Sequence, residues 1–162
     1  MNMQTIAPVR QSVEVSAPLP VAFEVFTARL ASWWPASHHI AAAPFVDAVI
    51  EPRTGGRWFE RDEQGRECDW GQVLAFEPPH RLVLSWAITP DFRHEPDPAR
   101  ASEVEIRFRA LDEHRTIVEL EHRHFERHGA GGQQMRGGVA SPGGWPGVLA
   151  RFADLAAAGA VA

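Results

Sequence analysis

The chain has no lysine and no tyrosine, a single cysteine, Cys68, and a single asparagine, Asn2. All 16 of its basic residues are arginine. The missing lysine and near-missing asparagine read as the codon bias of a GC-rich genome rather than as a functional signal. One cysteine excludes an internal disulfide, and nothing beside Cys68 in sequence marks an activated thiol, so it reads as a small strand residue. Basic residues do not outnumber the 21 acidic ones, and the net charge of −5 argues against a nucleic-acid face. No apolar run is long enough to span a bilayer, and residues 1–10 lack the basic start and apolar core of a signal peptide. There is no phosphate-binding glycine loop, and Ser85 and Ser102 lack the elbow context of a nucleophilic serine. No internal repeat and no second domain stand out. A cytoplasmic protein is expected, with no nucleic-acid or membrane partner, no cofactor and no resident metal.

What the chain does have is apolar pattern. Its 162 residues suit one domain, which at this size buries about 70% of the unfolded surface. The expected layout is a flexible tail over residues 1–9, a single domain over 10–157 and a C-terminal tail over 158–162. Near the C-terminus, Trp145, Val148, Leu149, Phe152 and Leu155/Ala156 recur at helical spacing and form one stripe. Ser141-Pro142 and Pro146 are both start signals for this helix, and the pattern does not choose between them. Burying five such side chains stabilises by roughly 10 kcal/mol at most, comparable to the whole net stability of a domain. The helix therefore needs a broad apolar surface to lie on.

That surface is a run of strands. Residues 10–16 alternate, and residues 21–30 form a short helical region closed by Trp33-Trp34-Pro35. His38-His39 and the alanines after it read as a long loop. Strands follow over residues 46–51, 57–61, 67–76 and 81–88, separated by turns rich in glycine and proline. Residues 90–101 read as a mobile hairpin loop. Val104, Ile106 and Phe108 alternate with Glu105, Arg107 and Arg109, and Val118, Leu120 and His122 with Glu119, Glu121 and Arg123, as half-buried antiparallel strands do. Residues 129–144, rich in glycine, read as a linker to the last helix. The expected class is α+β: a curved antiparallel sheet of six to seven strands around a long C-terminal helix, with two short helices after the first strand.

Val49-Ile50-Glu51-Pro52-Arg53-Thr54-Gly55-Gly56-Arg57-Trp58, then residues 71–86 with Phe76-Glu77-Pro78-Pro79-His80-Arg81-Leu82, then residues 116–125 and Gly144-Trp145 follow one another in a familiar order. Together they resemble the SRPBCC (START-like) superfamily, and within it the branch of activator of heat-shock protein 90 ATPase homologue-like domains. The resemblance runs from about Val13 to Leu155. It implies a helix-grip fold with a cavity between sheet and helix, an architecture that hosts ligand carriers, cyclases, hydrolases and co-chaperones alike. The eponymous co-chaperone resembles this chain only in its C-terminal domain, and its additional N-terminal domain has no counterpart here, which weighs against a chaperone partner.

The expected function is binding of a small hydrophobic or aromatic molecule in that cavity. An empty pocket of ~300 Å³ would cost roughly 7 kcal/mol at the rate seen for core voids, which favours occupancy. Alternation nominates Trp86, Val104, Ile106, Phe108, Val118, Leu120 and His122 from the sheet and Trp145, Leu149 and Phe152 from the helix as lining, beside the plain reading of a filled core. Trp33, Trp34, Trp58 and Trp70 are placed at the rim, and Arg57, next to Trp58, is the arginine to watch for a ligand carboxylate. His122 is the pointed candidate: an imidazole on an apolar face, which either hydrogen-bonds a polar group of the ligand, acts as acid/base for a cyclase or hydrolase, or is a buried histidine satisfied by a carbonyl or a tryptophan N–H. His122 and His124 would stand roughly 7 Å apart on one strand face, a metal pair only if a third ligand such as His128, Cys68 or Asp69 joined them. The remaining alternatives are a protein-interaction module using the outer sheet face and a homodimer through an open sheet edge.

Overall fold

In the computed structural model, which describes residues 5–161, the seven strands β1 (Val9–Val15), β2 (Phe45–Ile50), β3 (Arg57–Asp62), β4 (Glu67–Glu77), β5 (Arg81–Trp86), β6 (Ser102–Ala110) and β7 (Thr116–Arg123) form one antiparallel sheet. Their order is β1-β7-β6-β5-β4-β3-β2. Helices α1 (Leu19–Ala28) and α2 (Leu30–Trp33) follow β1, and α3 (Gly132–Ala140) and α4 (Trp145–Val161) follow β7. The sheet curls around α4, which is the helix-grip architecture. None of these helices is long and apolar enough to cross a membrane.

Register turns the alternation of each strand into continuous rows on the concave face. Leu84, Val104, His122 and Val9 lie side by side across four strands, and Phe108 pairs with Val118 and through it with Val13. Curling needs local breaks in the ladder, and three register shifts supply them, each with one extra residue: Val46 on β2, and Trp70 and Leu74 on β4. This explains why Val46 and Leu74 are exposed despite their hydrophobicity. At Gly71, beside the Trp70 bulge, a Cβ would sit 2.0 Å from the Ser85 carbonyl oxygen and 2.7 Å from Trp58 Nε1, so only glycine lets β3, β4 and β5 close up there.

The C-terminal helix begins at Trp145 with Pro146 in its first turn, where a missing N–H costs nothing. Its stripe is buried: Trp145, Val148, Leu149, Phe152 and Ala156 are each at most 3% exposed. The first two helices fill one end of the groove beneath it. Phe26 stacks edge-on against Phe152 at 5.1 Å and tilts against Trp33 at 4.9 Å, while Phe23 meets Phe108 at 5.0 Å.

Several local expectations change. The packed chain starts before residue 10: Ile6 is buried, and Arg136 donates to the carbonyls of Ala7 and Pro8. Residues 158–161 continue α4 instead of forming a tail. The glycine-rich stretch after β7 contains the 3-10 segment Phe125–Gly131 and then α3, because Gly132, Met135 and Val139 make a narrow buried stripe despite the poor helix propensity of glycine. Residues 88–94 form a closed turn, with Ile88 bridging His94 and Phe92 at a positive φ of 62°.

Candidate functional site

The groove that α1 and α2 fill at one end is open at the other. A half-open cavity of about 540 Å³ lies between α3, the start of α4, the loop carrying His38 to Ile40, the inner residues Trp70 and Trp86, and the Ile88–Phe92 turn. Its walls are mostly aromatic and apolar. Four of the six tryptophans meet there: Trp34 packs on Trp70 at 5.0 Å and on Trp145 at 6.1 Å, and Trp145 on Trp86 at 5.7 Å. Met135 and Val139 of α3 face them, and Phe92, 64% exposed, stands at the mouth.

Hydrogen bonds hold three of these rings in place. Trp34 Nε1–H donates to the His38 carbonyl at 2.9 Å, Trp70 Nε1–H to Glu60 Oε1 at 2.8 Å, and Trp145 Nε1–H to His122 Nδ1 at 3.0 Å. Glu60 is fully buried and faces inward on β3. Besides Trp70 it accepts the backbone N–H groups of Ile40 at 2.6 Å and Ala41 at 3.3 Å. A buried carboxylate is tolerated only with such partners, and here they stitch the loop that carries the two histidines to the sheet. His38 spans the mouth, donating from Nε2 to the Gly143 carbonyl at 2.6 Å with Ser37 Oγ 3.0 Å from its Nδ1. His39 donates from Nδ1 to the Ala41 carbonyl at 2.8 Å, leaving Nε2 as its lone-pair nitrogen on a residue that lines the cavity.

His122 is elsewhere. It is fully buried behind Trp145 and does not line the cavity. Indole N–H only donates, so Nδ1 of His122 must accept and the proton sits on Nε2. That Nε2–H donates to Ser102 Oγ at 2.8 Å, and the Ser102 hydroxyl in turn donates to His128 Nε2 at 2.8 Å. Burial, reinforced by the neighbouring His128, holds the His122 imidazole well below its ordinary pKa. Burial also lowers His128, opposed by Glu95 and aided by Arg100. The His122–Ser102–His128 relay is neutral and both nitrogens of His122 are partnered, the satisfied alternative for this histidine. The expected His122–His124 pair does not form, because β7 ends at Arg123 and His124 turns off the strand with φ 66°.

Of the residues that alternation nominated, Trp86 and Trp145 line the cavity. Val104, Ile106, Phe108, Val118, Leu120, Leu149 and Phe152 face inward as expected, but they belong to the filled core. Trp58 is buried behind Trp34, Trp70 and Trp86, with its N–H on the Ser85 carbonyl at 2.8 Å. Of the tryptophans placed at the rim, Trp34 and Trp70 reach the cavity and Trp33 does not. Arg57 points to the outer face: it binds Asp69 at 2.6 Å and Glu67 at 3.1 Å and lies over the Phe59 ring at 4.1 Å. On a strand, the neighbour of an inward Trp58 must point outward. The lining from α3 and the His38–His39 loop carried no periodic signal and was not foreseen.

The sequence profile of the family described as Activator of Hsp90 ATPase homolog 1-like protein matches residues 16–157. No curated protein sequence matches the chain. Among solved structures, the chain is similar to an anthrahydroquino-gamma-pyrone synthase, Txn09, at 40% identity and TM-score 0.67, over 96% of this chain and 99% of that one. It is also similar to CalC, a self-sacrificing resistance protein from Micromonospora echinospora, at 31% identity and TM-score 0.67, over 96% of each chain. Protein NE0264 from Nitrosomonas europaea shares the fold at 16% identity and TM-score 0.65, over 92% of this chain and 93% of that one.

Proposed function

The chain belongs to the Activator of Hsp90 ATPase homolog 1-like family, and from that premise we propose that it binds a planar, fused-ring aromatic small molecule in the tryptophan-lined cavity. The observation that carries this reading is the meeting of four tryptophans on one cavity of about 540 Å³ with few polar groups in its walls. A volume in this range suits a three- to four-ring molecule, and pockets of this make-up are the usual small-molecule sites. Flat rings gain from offset or edge contacts with indoles, about 0.5–1.5 kcal/mol per pair beyond burial. An alkyl chain gains only the burial. Intrinsic tryptophan fluorescence reports the site directly. Titration with a tricyclic aromatic ketone should quench it saturably, and a saturated fatty acid of similar volume should not. Equal response to both, or none to either, sinks the reading.

A second reading is supported by one observation, the 40% identity to a synthase over nearly the full length of both chains. In it the cavity promotes ring closure of an aromatic polyketide. His122 cannot serve as its acid/base, being neutral, partnered at both nitrogens and behind Trp145. His39 would take that role, since its Nε2 lone pair is free and the residue lines the cavity. Turnover of an open-chain aromatic precursor that survives His122→Asn and is lost in His39→Ala supports the enzyme; retention in His39→Ala refutes this assignment.

A further inference from the structure

We infer that Phe92 caps the cavity, its phenyl ring closing over the solvent side of the bound ring system. This rests on the binding reading above and adds the residue that completes the aromatic enclosure. Of the nine phenylalanines, five are in the hydrophobic core, Phe45 and Phe76 pack against it, and Phe59 is buried beneath Arg57 on the outer face. Phe92 joins none of these groups and is 64% exposed. The fold makes no use of its side chain.

The backbone makes a phenylalanine there costly as well as idle. Its φ of 62° is a left-handed conformation that a bulky side chain adopts only under strain, and that glycine or asparagine adopts readily. The turn imposes this angle without help from the ring. Thr89 N–H donates to the Arg93 carbonyl at 2.7 Å, Phe92 N–H to the Thr89 carbonyl at 2.9 Å, and Arg93 N–H to Thr89 Oγ1 at 3.0 Å. Glu95 N–H closes the base of the loop on the Ala87 carbonyl at 2.8 Å. Pro90 then seats the turn against the residue before α3, so closely that a Cβ on Gly131 would lie 2.3 Å from Pro90 Cγ. A glycine at position 92 would satisfy all of these contacts with less strain.

A strained residue held by an over-determined turn marks a position that serves something other than stability. What Phe92 adjoins is the cavity. The other exposed large hydrophobic residues do not extend it into a protein-binding patch: Val46 and Leu74 are the bulged residues of β2 and β4, and Leu111 follows β6 at the far end of its pairing with β5. A lone ring beside a tryptophan-lined cavity fits a small molecule better than a protein surface. Bound there, a flat ring system would displace water from the phenyl group and bury apolar surface on both sides. The aromatic pair adds an offset or edge-on contact that an aliphatic ligand does not make.

The test titrates 9-fluorenone, a flat tricyclic ketone, into wild type, Phe92→Gly and Arg93→Ala by calorimetry, with thermal unfolding of all three. Phe92→Gly should unfold no lower than wild type, and up to about 4 °C higher as strain is released. It should nevertheless bind fluorenone about tenfold more weakly. Arg93 shares the turn but does not line the cavity, so Arg93→Ala should bind as wild type does. In wild type the assigned Phe92 ring-proton signals should shift on adding fluorenone. If Phe92→Gly binds as tightly as wild type, if it unfolds at a lower temperature, or if Arg93→Ala loses as much affinity, the cap is overturned and the cavity reading stands. Phe92 ring signals that stay put while fluorenone binds overturn it equally, whatever the variants do. A change in sedimentation alone on Phe92→Gly would assign the ring to a contact between copies of the chain, and overturns it too. If wild type binds no fluorenone, the cavity reading itself falls.

Discussion

The indole nitrogen of Trp145 lies 3.0 Å from Nδ1 of His122, and that one bond fixes the proton on every member of a buried chain. From Trp145 the donors run through His122 and Ser102 to His128, each 2.8–3.0 Å from the next. The chain ties the first turn of α4, a wall of the cavity, to the inner face of β6 and β7. Histidine here acts through position, holding a ring that the ligand would meet.

Replacing His122 by alanine should therefore damage the fold. The change opens a void and strands both the Trp145 donor and Ser102, and a loss of about 2–5 kcal/mol is expected in urea unfolding. A variant as stable as wild type would contradict this account of the chain.

The same chain makes stability depend on pH with a definite sign. Both histidines are depressed in the folded state, so the unfolded chain binds protons first as pH falls. Their contribution is complete above the unfolded pKa near 6.5 and is lost as pH drops below it, by up to about 1.4 kcal/mol per pH unit for each group. Unfolding free energies measured from pH 7.5 to 5 should fall, and the slope should flatten in His122→Phe. A flat wild-type profile over that range would refute it.

On the opposite face, Glu105 sits almost fully buried beneath Arg81, Arg107 and Arg123, with the closest contacts to Arg81 and Arg123 at 2.6 Å. Burial alone would raise its pKa, but hydrogen bonds from Arg81, Arg123 and Arg107 outweigh it and bring the carboxyl down to about 2. Its stabilising effect is present above pH 4.5 and disappears as pH falls toward 2. Glu105→Gln should cost about 1.5–3 kcal/mol at neutral pH and weaken the acid transition. Unchanged stability would mean the arginines cover this face by packing alone.

Gly138 offers a gain and a loss at one position. It lines the cavity from α3, and a Cβ there would meet nothing within 4 Å. Gly138→Ala should stabilise by about 0.5–1 kcal/mol through helix propensity. Gly138→Phe should keep the fold and occupy the space a ligand needs, abolishing the fluorescence response. Ligand affinity untouched by Gly138→Phe would place binding elsewhere.

Short-range pattern carried most of the architecture. Period two on β6 and β7 and the helical stripe on α4 depend only on local backbone geometry, and so Val104, Ile106, Phe108, Val118, Leu120, Leu149 and Phe152 face inward as read. The inward facing of His122 was equally legible; whether its partners were a ligand or Trp145 and Ser102 was not, since these lie 20 or more residues away along the chain. Where the groove is filled and where it is open is not local either. Phe23, Phe26 and Trp33 close one end, and α3, hidden in a glycine-rich stretch that reads as a linker, walls the other. The exposed side of Arg57 follows from the inward Trp58 beside it, and Trp70 turns in because a bulge adds a residue to β4. The amino-acid pattern determined that a sheet would wrap a helix; the distant packing of α1, α2 and α3 decided where a cavity was left, because an unfilled volume is set by everything around it and encoded by no single segment.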